Sequence, residues 1–199
     1  MAIIVDKVQK RRDIALSCKE LFFTQGIKNL TISQIAKTAG VGKGTLYDYF
    51  KNKEDIVFEI VNIMIHERNI LVEKRISQTT ITKEKIKLFN TFFYSEEDME
   101  LRGLYKEFIS ISLSSPDEKM IEFQTQCFDG YYAWFEKIIE DGIENGELIP
   151  QARKLVKGIF VTSEGLFISD AATNSINNLQ EELENYIDAI FELIEVKQC

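Results

Sequence analysis

The sequence predicts an all-α protein, and three observations predict it. Apolar residues recur at helical spacing along most of the chain, only Pro116 and Pro150 interrupt it as prolines, and no alternating stretch bounded by turn pairs reads as a strand. A length of 199 residues is enough to bury a substantial core in one domain or two. There is no internal repeat and no low-complexity stretch. No apolar run approaches the roughly 20 residues of a membrane span. The opening Met1 to Lys10 passes from Ile3-Ile4-Val5 straight into charge without a signal-peptide core, so a cytoplasmic chain with no membrane partner is expected. Three widely spaced cysteines, Cys18, Cys127 and Cys199, with His66 as the one histidine, argue against a disulfide framework and a zinc site; neither metal nor cofactor is expected.

The elements follow in order. A first helix is expected from about Asp6 to Gln25, burying Ile14, Cys18, Leu21 and Phe22, with Gly26 as a left-handed stop. Thr31 and Gln34 form a capping box that opens a second helix, Leu30 is placed to staple onto Ile35, and Gly40 ends the helix after about two turns. A third opens at Gly42, with Val41 placed to staple onto Leu46, and runs from Lys43 to Phe50. The fourth starts at Asn52, with Glu54 and Asp55 at the positive end of the dipole, and reaches about Ile76. Further helices are expected at about 83–93, 101–114, 116–145, 150–173 and 179–196, about nine in all. Ser115-Pro116-Asp117-Glu118 supplies a cap, a first-turn proline and a capping-box acid for one start; Gly146 supplies a stop, and Tyr94 to Glu100 reads as an acidic loop.

Charge divides the chain. The formal net charge is −8, yet residues 1–53 carry ten Lys/Arg against four acids, a net +6, and residues 54–199 carry fourteen against twenty-eight, a net −14. Phosphate attraction need only be local within a Debye length of about 8 Å, so a basic end on an acidic body suits a DNA reader joined to a non-DNA domain. A solvated basic helix gives the same count.

Two short helices joined by Ala39-Gly40-Val41-Gly42 and braced by the first have the dimensions of a helix-turn-helix, whose second member lies in the major groove. Leu46 and Phe50 face the domain core, which leaves Lys43, Gly44, Thr45, Tyr47, Asp48 and Tyr49 at the start and outer face. Two exposed tyrosines beside lysines favour contact with a surface.

The stretch from Thr31-Ile32-Ser33-Gln34-Ile35-Ala36 through Ala39-Gly40-Val41-Gly42-Lys43-Gly44-Thr45-Leu46-Tyr47-Asp48-Tyr49-Phe50 to Lys53-Glu54-Asp55-Ile56 resembles the TetR family of one-component bacterial regulators. The resemblance is clear over about residues 8–65; the remainder matches in length and helical layout. It implies that Thr31 and Ser33 touch backbone phosphate, that Lys43, Gly44, Thr45, Tyr47 and Tyr49 meet DNA, and that Lys53 is a phosphate anchor. A solvated Lys53 is the alternative. Gly42 and Asp48 depart from the family pattern: Gly42 stands where a small hydroxyl residue is commoner, and Asp48 is either a base reader accepting from cytosine N4 or a solvent-facing acid.

The expected division is a helix-turn-helix domain over 1–53, a connecting helix over 53–76, and a ligand-binding and dimerisation domain over 54–199. Phe92, Phe108, Cys127, Tyr131, Trp134, Phe160, Glu164 and Phe167 are the candidates for lining a small-molecule site, although helical spacing makes most of this aromatic surface plain core. Glu107, Tyr131 and Glu164 are the polar groups placed to orient a ligand; Glu164 interrupts the run Ile159 to Ile168 and must find a partner or hold its proton more tightly. Gly158, Thr162, Gly165 and Ser169 leave a small-residue seam, and Leu183, Tyr186, Ile187 and Ile190 form a stripe on the last helix; paired across a two-fold axis they make a four-helix interface, with packing inside one chain as the alternative. The expected function is a repressor released from a palindromic operator when an inducer binds, with double-stranded operator DNA, a second copy and a small molecule as partners. No phosphate loop, nucleophile elbow or histidine-carboxylate metal motif points to an enzyme. A helical module that docks on another protein is the remaining rival.

Overall fold

In a computed structural model that describes residues 6–114 and 118–197, the chain folds as helices, with one isolated bridge between Leu148 and Glu195. The expected cap at Ser115 to Asp117 and Cys199 lie outside the described residues. The α-helices are α1 (Lys7–Ser17), α2 (Lys19–Gln25), α3 (Ile32–Thr38), α4 (Lys43–Tyr47), α5 (Lys53–Ser77), α6 (Thr82–Asn90), α7 (Met99–Ser114), α8 (Glu118–Glu144), α9 (Val156–Thr173) and α10 (Leu179–Ile194). Short 3-10 turns occupy Thr91–Phe93, Glu96–Asp98 and Pro150–Lys154.

The expected first helix is broken in two. Ser17 Oγ donates back to the Ile14 carbonyl at 2.7 Å, and Cys18 sits at φ −97°, ψ −5°, so its N–H reaches Ala15 instead of the residue four back. Cys18 is fully buried, as a core residue. Gly26 has the positive φ expected of a stop, but its ψ of 162° is extended rather than left-handed helical, a region open essentially to glycine. The long connecting helix starts where Asn52 caps the N–H of Asp55 at 2.8 Å, while Asp55 accepts the Lys51 N–H at 3.0 Å. Gly146, at φ +76°, closes α8 by sending its N–H to Ile143. The segment 94–100 holds a 3-10 turn and the start of α7, and the helix expected from 150 opens instead as the 3-10 turn Pro150–Lys154, with the proline at its first position, where no N–H is needed, before α9 starts at Val156.

Packing divides the chain into two units, Met1–Arg68 with Gly103–Met120, and Asn69–Arg102 with Ile121–Cys199. Ile14, Phe22, Ile35, Leu46, Phe50, Ile56 and Ile60 supply the core of the first. In the second, Ile86, Phe89, Phe135, Ile139, Ile159, Ile187 and Phe191 share one apolar cluster. Here α10 lies against α6 and α9. A basic pair on α6 ties to α10: Lys87 Nζ meets Asp188 at 2.8 Å and Lys83 meets Glu195 at 3.4 Å. Burial works to lower the Lys87 pKa, but the Asp188 hydrogen bond and charge outweigh it and hold the ammonium above its ordinary value. No helix among the described residues is long and apolar enough to cross a membrane.

Candidate nucleic-acid interface

The site begins with two local locks. Thr31 caps α3 by accepting the Gln34 N–H at 3.3 Å, and the Gln34 side chain accepts the Thr31 N–H at 3.0 Å. At the other end Gly40, at φ +65°, lets Val41 N–H reach the Ala36 carbonyl and its own N–H reach Lys37, a Schellman closure. The chain therefore reverses within a few residues and enters α4 at Gly42, which has no side chain to cap it. Leu30 and Ile35 are both buried, as a staple requires.

α4 is shorter than the Lys43 to Phe50 expected, ending as a regular helix at Tyr47. One further turn remains, since Phe50 N–H still bonds the Leu46 carbonyl at 3.0 Å. Leu46 and Phe50 are buried as the spacing requires, each anchoring the segment by about 1.5–3 kcal/mol of apolar transfer. Lys43, Gly44, Thr45, Tyr47 and Asp48 are exposed, Tyr47 at 56%, and Tyr49 is half-buried. Thr31 and Ser33 are exposed at the start of α3. Of the interface residues expected from the sequence, Thr31, Ser33, Lys43, Gly44, Thr45, Tyr47 and Asp48 thus lie exposed at the helix starts and on an outer face.

Lys53 has a role that neither sequence reading foresaw. Its Nζ donates to the carbonyls of Lys28 at 3.0 Å and Leu30 at 3.3 Å, tying the loop before Thr31 to the head of α5. An ammonium has three N–H donors, so one remains for a phosphate oxygen. Arg11 was missed altogether. It bonds Glu59 at 2.7 Å and the Tyr49 carbonyl, and its guanidinium lies 4.3 Å from the centre of the Phe50 ring. These partners are 38 to 48 residues away in sequence, beyond any local pattern.

The candidates for a small-molecule site fall into separate groups. Tyr131, Trp134 and Phe160 surround Phe89 at ring distances of 5.9, 5.4 and 6.2 Å, and Phe160 also meets Phe128 at 5.2 Å. Phe89 is the hub, and its place in the period Ile86, Phe89 could have revealed it. Tyr131 donates its hydroxyl to Asn69 at 2.9 Å. Phe92 and Phe167 each meet Phe93, at 5.4 and 5.5 Å. Phe108 packs within the first unit, edge-on to Phe58, and Glu107 accepts a main-chain N–H there instead of facing a ligand. Cys127 is half-buried, and desolvation pushes its thiol up to about 11. Glu164, the acid that interrupts an apolar run in the sequence, is half-buried on α9.

On the dimer candidates the structure divides. Gly158, Gly165 and Ser169 are exposed along α9 and Thr162 is half-buried, while on α10 Tyr186 and Ile190 are half-buried. Leu183 and Ile187 are 1% and 0% exposed: they belong to the core of their own chain, because that side of α10 faces inward. Leu193, which continues the apolar stripe of α10, is 71% exposed, and Val161 on α9, at 40%, is an exposed apolar residue that the sequence reading did not single out.

Comparison with known proteins accords with this geometry. The model of "Bacterial regulatory proteins, tetR family" matches residues 18–60, which span Cys18 to the first turns of α5. The chain is 28% identical over 159 residues to the fatty acid metabolism regulator protein of Bacillus subtilis, covering 76% of this chain and 80% of that one. It is 30% identical over 134 residues to the HTH-type transcriptional regulator QacR of Staphylococcus aureus, covering 65% and 68%. A crystal structure of a TetR-family transcriptional regulator from Cytophaga hutchinsonii superposes with a TM-score of 0.78 at 15% identity over 98% of this chain and 99% of that one. The capped pair α3 and α4, the fold, and the identity with QacR over two thirds of its length lead to one conclusion: this chain belongs to the TetR family of bacterial regulatory proteins and is a helix-turn-helix transcriptional regulator.

Proposed function

We propose that the protein is a cytoplasmic homodimeric repressor that leaves a palindromic operator when a small molecule binds its larger domain. Residues 1–53 read DNA and residues 54–199 bind the ligand and dimerise, with α5 as the connection. The observation that carries this reading is the exposed row Lys43, Gly44, Thr45, Tyr47 on a short helix whose other side is anchored by Leu46 and Phe50. Thr31, Ser33 and Lys43 meet phosphate through hydroxyls, helix N-terminal amides and charge; Tyr47, Tyr49 and Asp48 face the groove, and Lys53 turns its third N–H to the backbone. Two such helices fit successive major-groove turns only when about 34–36 Å apart, which is why a second copy is required.

The exposed seam of Gly158, Gly165 and Ser169 with Tyr186, Ile190 and Leu193 is the face we assign to that copy. The inducer lies against the aromatic group of Tyr131, Trp134 and Phe160, where half-buried rings and the Tyr131 hydroxyl offer apolar area with a polar handle. A ligand that favours a dimer with wider reader spacing weakens operator affinity by its differential binding energy. The test is to select operator duplexes from a random pool, then screen small molecules for release. Sharp loss of binding between about 50 and 200 mM salt is expected. A dimer that selects no duplex supports protein docking instead.

A further inference from the structure

We propose that Arg11 on α1 sets sequence specificity without touching DNA, by fixing the exit of the reading helix α4; the proposal rests on the DNA-reading role of α4 given above. A five-residue helix has no stability of its own, so its angle is whatever its surroundings impose. The entrance is fixed by the Gly40 closure. At the exit three demands converge on one guanidinium. Nε donates to Glu59 Oε2 on α5 at 2.7 Å, Nη1 donates to the Tyr49 carbonyl, and the cation stands 4.3 Å from the Phe50 ring centre. A planar fork with five donors meets all three at once; the point charge of a lysine cannot. The Arg11 side chain is 34% exposed and Glu59 23%, so the pair is partly shielded from solvent, and Glu59 offsets the charge that a phosphate would otherwise attract.

This arrangement separates two properties of DNA binding. Attraction to phosphate depends on charge and tolerates a change of angle, whereas hydrogen bonds to base edges weaken steeply as the donor tilts. Loosening the exit of α4 therefore lowers discrimination and leaves general affinity intact. Glu59 acts one step further back by orienting Arg11, and both are positioning residues.

The experiment measures binding of full-length wild type, Arg11→Lys, Arg11→Met and Glu59→Gln to two probes: a duplex selected by the wild type from a random pool, and an unselected random duplex of equal length. Each is titrated against salt, with thermal midpoint and helical circular dichroism as fold controls. The expected result is at least a tenfold fall in the selected-to-random ratio for Arg11→Lys, a smaller fall for Glu59→Gln, and an unchanged random-duplex affinity and salt slope. A ratio retained in Arg11→Lys overturns the proposal. So does a salt slope about one unit lower in Arg11→Met, which makes Arg11 a phosphate ligand, and so does a parallel loss on both probes together with the thermal midpoint, which makes it a scaffold residue only. If the wild type itself selects no duplex at low salt, the reading role of α4 fails first and the proposal falls with it.

Discussion

Glu107 accepts the main-chain N–H of Ile27 through Oε1 at 2.8 Å, although the two lie 80 residues apart. The same carboxylate oxygen stands 3.2 Å from where a Cβ on Gly26 would sit. Glu107→Ala leaves that N–H without its acceptor and is expected to cost about 1–3 kcal/mol, whereas Glu107→Gln retains an acceptor and loses less. Gly26→Ala, forced to φ +73° with ψ 162°, is expected to cost about 1–3 kcal/mol as well. Urea unfolding checks all three; equal stability of Glu107→Ala and wild type contradicts the assignment.

Gly142 on α8 meets Thr82 at the start of α6 more closely than any other glycine meets a neighbour among the described residues. An added Cβ would lie 2.6 Å from Thr82 Oγ1 and 3.1 Å from a Leu148 methyl. Both neighbours are buried, so the short threonine side chain has nowhere to retreat. Gly142→Ala is expected to destabilise by about 1–3 kcal/mol, and Gly142→Ala with Thr82→Ser to recover part of it, as read from thermal unfolding.

Lys53 ties the loop through the Lys28 and Leu30 carbonyls, and under the proposed function the DNA backbone is a further partner. Lys53→Met is expected to lower stability by about 1 kcal/mol through the lost carbonyl bonds. It should also flatten the logarithmic salt dependence of DNA binding by about one unit. A slope unchanged beside a lowered stability leaves Lys53 as a loop tie alone.

Alkaline stability follows from two raised groups. Desolvation raises Cys127 from 9.0 to about 11, and desolvation with the nearby Glu184 charge raises Tyr94 from 10.0 to about 12. Between the unfolded and folded values the folded chain holds protons that the unfolded chain has released, so stability falls as pH rises. Full stability from these groups is present below about pH 9 and declines through pH 9–11 for Cys127. Cys127→Ser is expected to remove that part of the decline, seen by urea midpoints at pH 8 and pH 10.5. An identical decline in the variant assigns it to other groups.

What could be read from the sequence was what is local. The Thr31 and Gln34 box, the Gly40 and Gly146 stops and the Asn52 cap each depend on residues within a few positions of one another, and the structure has them where the pattern put them. The break at Cys18 was hidden because a serine that bonds back to a carbonyl leaves the apolar period intact. The short reading helix was overestimated because the apolar pair Leu46 and Phe50 continues the helical spacing through a final looser turn. Arg11, Lys53 and Glu107 were out of reach, since each acts on main chain brought near only by the fold. Leu183 and Ile187 illustrate a different ambiguity: an apolar stripe on a terminal helix reads the same whether its own chain or a second copy covers it.

Hydroxyl-radical footprinting at low salt, on a duplex selected by the wild type, tests the central claim most directly. The claim predicts two protected patches centred one helical turn or a multiple of it apart, lost in a Lys43→Ala, Tyr47→Ala double variant whose helical content and melting are unchanged. Absence of any protection by the wild type, or a footprint that the double variant reproduces, contradicts the assignment of α4 as the helix that enters DNA.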